Sequence, residues 1–324
     1  MTNPQTSAGK CPGFAEFVIL IALIISLVAL SIDAMLPALT DIASDLGVER
    51  INDSQYVIAI FFAGMGLGQM FFGPLSDTIG RRPAILSGLV VFAGGCVLSI
   101  VADDFNQMLL GRFLQGFGAS GPRIVSIALV RDQYKGREMA RVMSFVMTVF
   151  ILVPVFAPAV GQGILLIADW RYIFVMFLCL ILVVGVWFWQ RQPETLAREK
   201  RIAFSLAQLM VDTKGIVRIR AALGYTLTMG FIFGAFIGYL SSSQQIFQVQ
   251  YQLQELFPLY FGILACSIGF ASLFNARLVL RFGMRRRSRI ALSSICLLSF
   301  PFCLLALGFD GPPHLNLLMR YMLP

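Results

Sequence analysis

Four polar side chains stand where a polar side chain is costly. Asp33 lies in an apolar run over residues 15–38, and Arg112, Gln115 and Arg123 share another over 106–129. A charge inside such a run is expected to face a cavity or a partner. Asp33 there can load and release a proton, or pair with a cationic substrate. The bland alternative places it at the outer interface, because Pro37 follows closely. Arg112 is expected about two helical turns in from the outer face. Arg123 follows Pro122, which can open the helix locally, so it either joins the cavity or extends its stem towards the cytoplasm. No span end pairs a nucleophile with a base, and no nucleotide-binding Gly-rich loop with Lys and Ser/Thr is present. Enzymatic chemistry and ATP are therefore not expected. The six Cys and the single His314 show no metal-ligand spacing, so neither metal nor cofactor is expected.

A second group of residues reads as machinery. Gly73-Pro-Leu-Ser-Asp77-Thr-Ile-Gly80-Arg81-Arg82-Pro83 joins two apolar runs. Glycine permits a tight turn at the membrane face. Asp77 can pair with an arginine or cap a neighbouring helix, forming a latch that one conformation makes and another breaks. The alternative is a plain topogenic loop. Gly116 and Gly118 follow Gln115 and would let helices approach closely. Pro154, Pro158 and Gly161 fall in one run, where proline loosens the helix into a hinge or leaves a static kink.

The elements that must hold these residues follow from composition. Of 324 residues, 58% are apolar and 13% charged, with mean hydropathy +0.80. A soluble domain has about 25% charged residues, so the bilayer is the expected solvent. Nine runs of spanning length occur near 15–38, 55–74, 83–102, 106–129, 141–167, 170–190, 220–240, 256–275 and 289–308, and a tenth starts near Leu315. With the N-terminus inside, 20 of the 25 Lys and Arg fall in cytoplasmic segments. Topology thus accounts for the net charge of +8, and nucleic acid is not an expected partner.

Residues 191–219 are charged and hold Pro193, with Phe204–Val217 able to lie as an amphipathic helix on the inner surface. They separate a six-span bundle at 1–190 from a second bundle at 220–324. The two bundles read as copies. Gly80-Arg-Arg in one loop corresponds to Gly283-Met-Arg-Arg in another, 203 positions on. Carrying the end of the sixth span forward by that offset places the end of the second copy near residue 393. About 70 residues of a complete second bundle are then expected beyond Pro324, and the second bundle is expected to be incomplete.

The Gly73–Arg82 segment closely resembles the Gly-x-Leu-(Ser/Ala)-Asp-x-x-Gly-Arg-(Arg/Lys) motif of the major facilitator superfamily. Arg112-Phe-Leu-Gln115-Gly116 resembles its Arg-x-x-Gln-Gly motif. Pro154–Gln162 is similar to the Gly-Pro-x-x-Gly-Gly element of its proton antiporters, with Ala157 and Gln162 where glycines are usual. Gly68-Gln69, Arg131-Asp132 and Tyr239-Leu240-Ser-Ser-Ser243 add a resemblance to the bicyclomycin/chloramphenicol-resistance (Bcr/CflA) branch. The resemblance implies an all-α membrane protein of two six-helix bundles. It further implies a monomer in the bacterial inner membrane that exchanges protons for small drug-like compounds by alternating access. Asp33, Arg112, Gln115 and Arg123 are the candidate proton and substrate residues. Alternatives are a metabolite symporter or uniporter of the same fold, or a truncated, non-transporting membrane protein.

Overall fold

The computed structural model describes residues 12–253, 256–282 and 284–308. Every long element among them is an α-helix, as expected where the bilayer leaves backbone groups only intra-helical partners. Phe14–Asp33 forms α1, which runs through a 3-10 turn over Leu36–Ala38 into the short α2, Leu39–Asp45. The expected single helix over 15–38 is thus broken at Pro37, which opens the 3-10 turn. The following helices are α3 (Tyr56–Ile79), α4 (Arg81–Ile100), α5 (Phe105–Gln133), α6 (Gly136–Leu165) and α7 (Arg171–Arg191). After these come α8 (Leu206–Arg218), α9 (Arg220–Gln244), α10 (Phe257–Phe282) and α11 (Met284–Gly308).

Seven stretches among the described residues are long and apolar enough to cross a membrane, from Phe14–Asp45 to Arg220–Gln250. The runs expected near 256–275 and 289–308 fall on α10 and α11, whose apolar parts Phe257–Ala271 and Ile290–Pro301 are shorter. Among the described residues seven stretches thus meet the length and hydropathy expected of a span, and the remaining two expected runs coincide with α10 and α11. The expected tenth span from Leu315, together with His314 and Gly283, lies outside the described residues.

Local chemistry sets the helix ends. Asp104 caps α5, its carboxylate accepting from the Gln107 N–H at 2.9 Å. Gly80 adopts φ +111 between α3 and α4, a backbone conformation that side-chain-bearing residues rarely adopt. Between helices, small residues set the spacing. A Cβ on Gly116 would lie 1.9 Å from the Phe61 carbonyl, and one on Gly118 would lie 2.4 Å from the Phe92 nitrogen. So α5 wedges backbone-close between α3 and α4. The core is centred on α1, whose faces pack on α5, α6 and α7. In contrast, α9 is largely exposed over 220–238 and becomes buried only at Leu240, Ser241, Ser243 and Gln244. It then passes into one π-helical turn, Gln245–Gln250.

Candidate functional site

A cavity of about 220 Å³ lies where α1, α3, α5, α6, α9 and α10 converge. Its walls are apolar, with aliphatic side chains interleaved with six aromatic rings. Phe62 meets Phe233 edge-on at 6.1 Å, Phe233 touches Phe236 at 5.8 Å, and Tyr239 stacks on Phe261 at 6.4 Å. Phe150 and Pro154 supply the α6 side. Pro154 shares the lining with Asp33 and Arg123, so the proline-bearing stretch of α6 forms part of the cavity wall.

Three polar groups enter this apolar wall. Asp33 ends α1, is 4% exposed, and lines the cavity. Its carboxylate has no hydrogen-bond or ion-pair partner among the described residues. The Tyr239 hydroxyl is buried, unpartnered and within electrostatic range of Asp33. Arg123 also lines the cavity, with only soft neighbours. Its Nη1 lies 4.0 Å from the Met65 sulfur, and its guanidinium carbon lies 6.0 Å from the Phe150 ring centre. Asp33 and Arg123 form no ion pair with each other. Immediately after Asp33, α6 presses on the chain, because a Cβ on Gly161 would fall 1.9 Å from the Ala34 carbonyl oxygen. Pro158 and Ala157 are buried one turn earlier.

Arg112 and Gln115 are placed elsewhere. Arg112 is 0% exposed and does not line the cavity. It donates from Nε to the Val57 carbonyl at 3.1 Å, from Nη2 to the Ser31 carbonyl at 3.2 Å, and from Nη1 to Gln115 Oε1 at 2.7 Å. Its guanidinium also covers the Phe61 ring at 4.6 Å. Gln115 Nε2 donates to the Gly95 carbonyl at 3.1 Å and to Ser99 Oγ at 3.0 Å. Together they bind α1, α3, α4 and α5 into one unit. The cost of a charge among apolar helices is met by fixed carbonyls, so no cavity is needed.

The loop after α3 is an assembled network. Arg81 pairs with Asp77 at 2.6 Å and Asp132 at 3.2 Å, and Nη1 also donates to Ser76 Oγ at 2.6 Å. Glu194 closes the network. It accepts the main-chain N–H of Arg81 at 2.9 Å and of Arg82 at 3.1 Å, and those of Thr195 and Leu196 at 2.9 Å each. A carboxylate on the first N–H groups of α4 satisfies orphan donors and meets the positive end of the helix dipole. Gly80 leaves the room for it, as a Cβ there would lie 2.3 Å from Glu194 Oε2. Arg82 reaches the Trp189 carbonyl, and the Ile202 N–H donates to the Asp77 carbonyl at 3.0 Å. A Cβ on Gly73 would meet nothing within 4 Å, and the Gly73 carbonyl accepts from Ser76 Oγ at 2.7 Å.

At the opposite end, the chain after α9 is bound to the first helices. Gln55 Nε2 donates to Gln245 Oε1 at 2.7 Å, and Gln244 Nε2 donates to Thr40 Oγ1. These bonds sit beyond Asp33 on the Thr40 side.

The sequence offered Asp33, Arg112, Gln115 and Arg123 as candidates, with snorkelling as the alternative for Arg123. Of these, Asp33 and Arg123 line the cavity. Tyr239 entered only through the Tyr239–Ser243 motif. Glu194 was overlooked. Its signal was one acidic residue straight after Pro193 in a segment otherwise dominated by Arg and Lys.

Comparison with known proteins now adds to this geometry. The family model described as Major Facilitator Superfamily matches residues 21–321. The Bacillus subtilis protein named "Uncharacterized MFS-type transporter YdgK" is 32% identical over 257 residues, 78% of this chain and 63% of that protein. The Haemophilus influenzae "Bicyclomycin resistance protein homolog" is 30% identical over 281 residues, 86% of this chain and 70% of that protein. Thus the chain spans about two thirds of the length of these relatives. A crystal structure of a bacterial homologue of the human lysosomal transporter Spinster, inward-facing and unoccupied, superposes with TM-score 0.62 at 18% identity, covering 83% of this chain and 63% of that one. That likeness concerns the fold.

Proposed function

Because the chain belongs to the Major Facilitator Superfamily, we propose that it serves a secondary transporter that exports small, aromatic, drug-like compounds in exchange for protons. Residues 1–190 would form one bundle and residues from 220 onward the start of the second, joined by 191–219. The transporter would act as a monomer in a bacterial inner membrane with its N-terminus in the cytoplasm. One observation carries the reading: the unpartnered carboxylate of Asp33 faces an aromatic cavity bounded by helices on both sides of the 191–219 linker. Kinship with a bicyclomycin resistance protein homologue supports the drug-like substrate class.

The mechanism follows from the groups present. A buried carboxylate without a partner is costly to leave charged. A proton or a cationic compound relieves that cost, and one excludes the other. Exchange follows when the two bundles rock about the cavity and expose it to each side in turn. The Arg112–Gln115 unit keeps the first bundle rigid during that motion. The Gly80–Glu194 network holds the linker against it. Gln244–Thr40 and Gln55–Gln245 close the cavity at the far end.

The test is transport by the full-length protein in inside-out vesicles with an imposed pH gradient, read as accumulation of a cationic aromatic dye. Asp33→Asn is expected to abolish gradient-driven accumulation. Raising the pH removes the competing proton, so it should tighten dye binding to the wild type and leave the variant unchanged. Undiminished accumulation by Asp33→Asn would overturn the assignment.

A further inference from the structure

The same cavity holds a second unsatisfied charge, which the exchange of a proton at Asp33 does not use. Arg123 carries five N–H donors, yet its neighbours among the described residues are a thioether and an aromatic ring. A guanidinium that is structurally employed has oxygen partners, as Arg112 does in the same helix. Arg123 lies eleven positions further along α5, three helical turns from Arg112, and faces the cavity. Snorkelling would bring its head to water or to a lipid phosphate, but the group is instead half-buried in the cavity wall. In the same lining, the Asp33 carboxylate and the Tyr239 hydroxyl are also without partners among the described residues. The two opposite charges do not pair with each other.

From this arrangement we propose that the cavity selects zwitterionic aromatic compounds. The cationic or donor end lies at Asp33 and Tyr239, the anionic or acceptor end at Arg123, and the aromatic body between Phe62, Phe233 and Phe236. Such a ligand would satisfy all three orphaned groups at once, whereas a simple cation leaves Arg123 bare and a simple anion leaves Asp33 bare. Buried, unmatched polar groups discriminate strongly against a ligand that cannot pair with them. The ring-lined walls add loosely shaped contact area and little selectivity. Arg123 would thus set the charge type of the substrate, while Asp33 sets its exchange with protons. This inference rests on the transport reading above but can fail without it.

The experiment is equilibrium binding to the full-length protein of three matched probes. These are an aminomethyl-biphenyl carboxylic acid, its methyl ester, and the acid without its amino group. The zwitterion is expected to bind at least about tenfold more tightly than either singly charged probe, in line with one charge-assisted contact. Arg123→Gln should erase the preference over the ester, and Arg123→Lys should retain part of it. A thermal midpoint in detergent equal to that of the wild type shows that Arg123→Gln is folded. If the zwitterion binds no better than the ester, or if Arg123→Gln keeps the preference, the inference is overturned. Ester binding that still depends on Asp33 then leaves the transport reading standing. Failure of all three probes to bind overturns both.

Discussion

The carboxylate of Glu194 accepts the main-chain N–H of Arg81 at 2.9 Å across 113 positions of sequence. It thereby caps α4 with a residue from the linker that follows α7. Two further bonds tie the linker to the same loop: the Ile202 N–H donates to the Asp77 carbonyl at 3.0 Å and Thr195 Oγ1 donates to Asp132 at 3.2 Å.

Glu194→Ala should remove that cap. The expected cost is about 1–2 kcal/mol, the usual range for losing a helix cap. It should appear as a lower thermal midpoint in detergent. It should also accelerate tryptic cleavage at Arg198, Lys200 and Arg201, since the released linker lies just beyond the cap. Unchanged cleavage would mean that the Ile202–Asp77 and Thr195–Asp132 bonds hold the segment without the cap.

Arg112→Leu should damage folding and leave the cavity's ligand preference to Arg123. The change strips donors from the Val57 and Ser31 carbonyls and from Gln115, each an unmet group worth about 1–3 kcal/mol. Arg112→Lys should recover only part of the loss, because an ammonium does not reproduce the planar fork that reaches three acceptors on α1, α3 and α5. Thermal unfolding of both variants beside Arg123→Gln checks this. Only the Arg112 variants should melt early.

Gly161→Ala should fail where Gly163→Ala succeeds. A Cβ at 161 would sit 1.9 Å from the Ala34 carbonyl oxygen, while one at 163 meets nothing within 4 Å. Forcing α6 away from α1 should cost about 1–3 kcal/mol, the range for overpacking. It should also disturb dye binding, because Ala34 directly follows Asp33. Yield, melting temperature and dye affinity for the pair provide the comparison.

Much of the frame was legible in the sequence because bilayer chemistry leaves a coarse signature. Apolar runs of spanning length marked α1, α3 to α7 and α9 within a few residues. The Gly73–Arg82 spacing marked a loop that the structure builds into a network. What escaped was set by tertiary partners. Arg112 and Arg123 are the same residue type in one helix, and sequence treated both as cavity candidates. The difference is that the Val57 and Ser31 carbonyls, from other helices, happen to meet only the first. Pro37 was visible, but that the chain would continue through it as a 3-10 turn into α2 depended on packing. Glu194 showed only as a charge in a charged segment, since its role needs the open side of Gly80.

The uneven burial of α9 has a mechanical consequence. Its last turn is gripped by Thr40 and the glutamines, while the stretch over 220–232, before Phe233 meets Phe62, is largely exposed. Twenty-five residues at 1.5 Å each make a rod roughly 37 Å long, so a tilt of about 10° at the gripped end sweeps the other end through roughly 6 Å. Phe233, Phe236 and Tyr239 lie nearer the gripped end and would travel much less. A helix fastened this way is a lever whose fulcrum lies beside the cavity, so a wide opening at one face needs only a small displacement of the rings that hold the ligand.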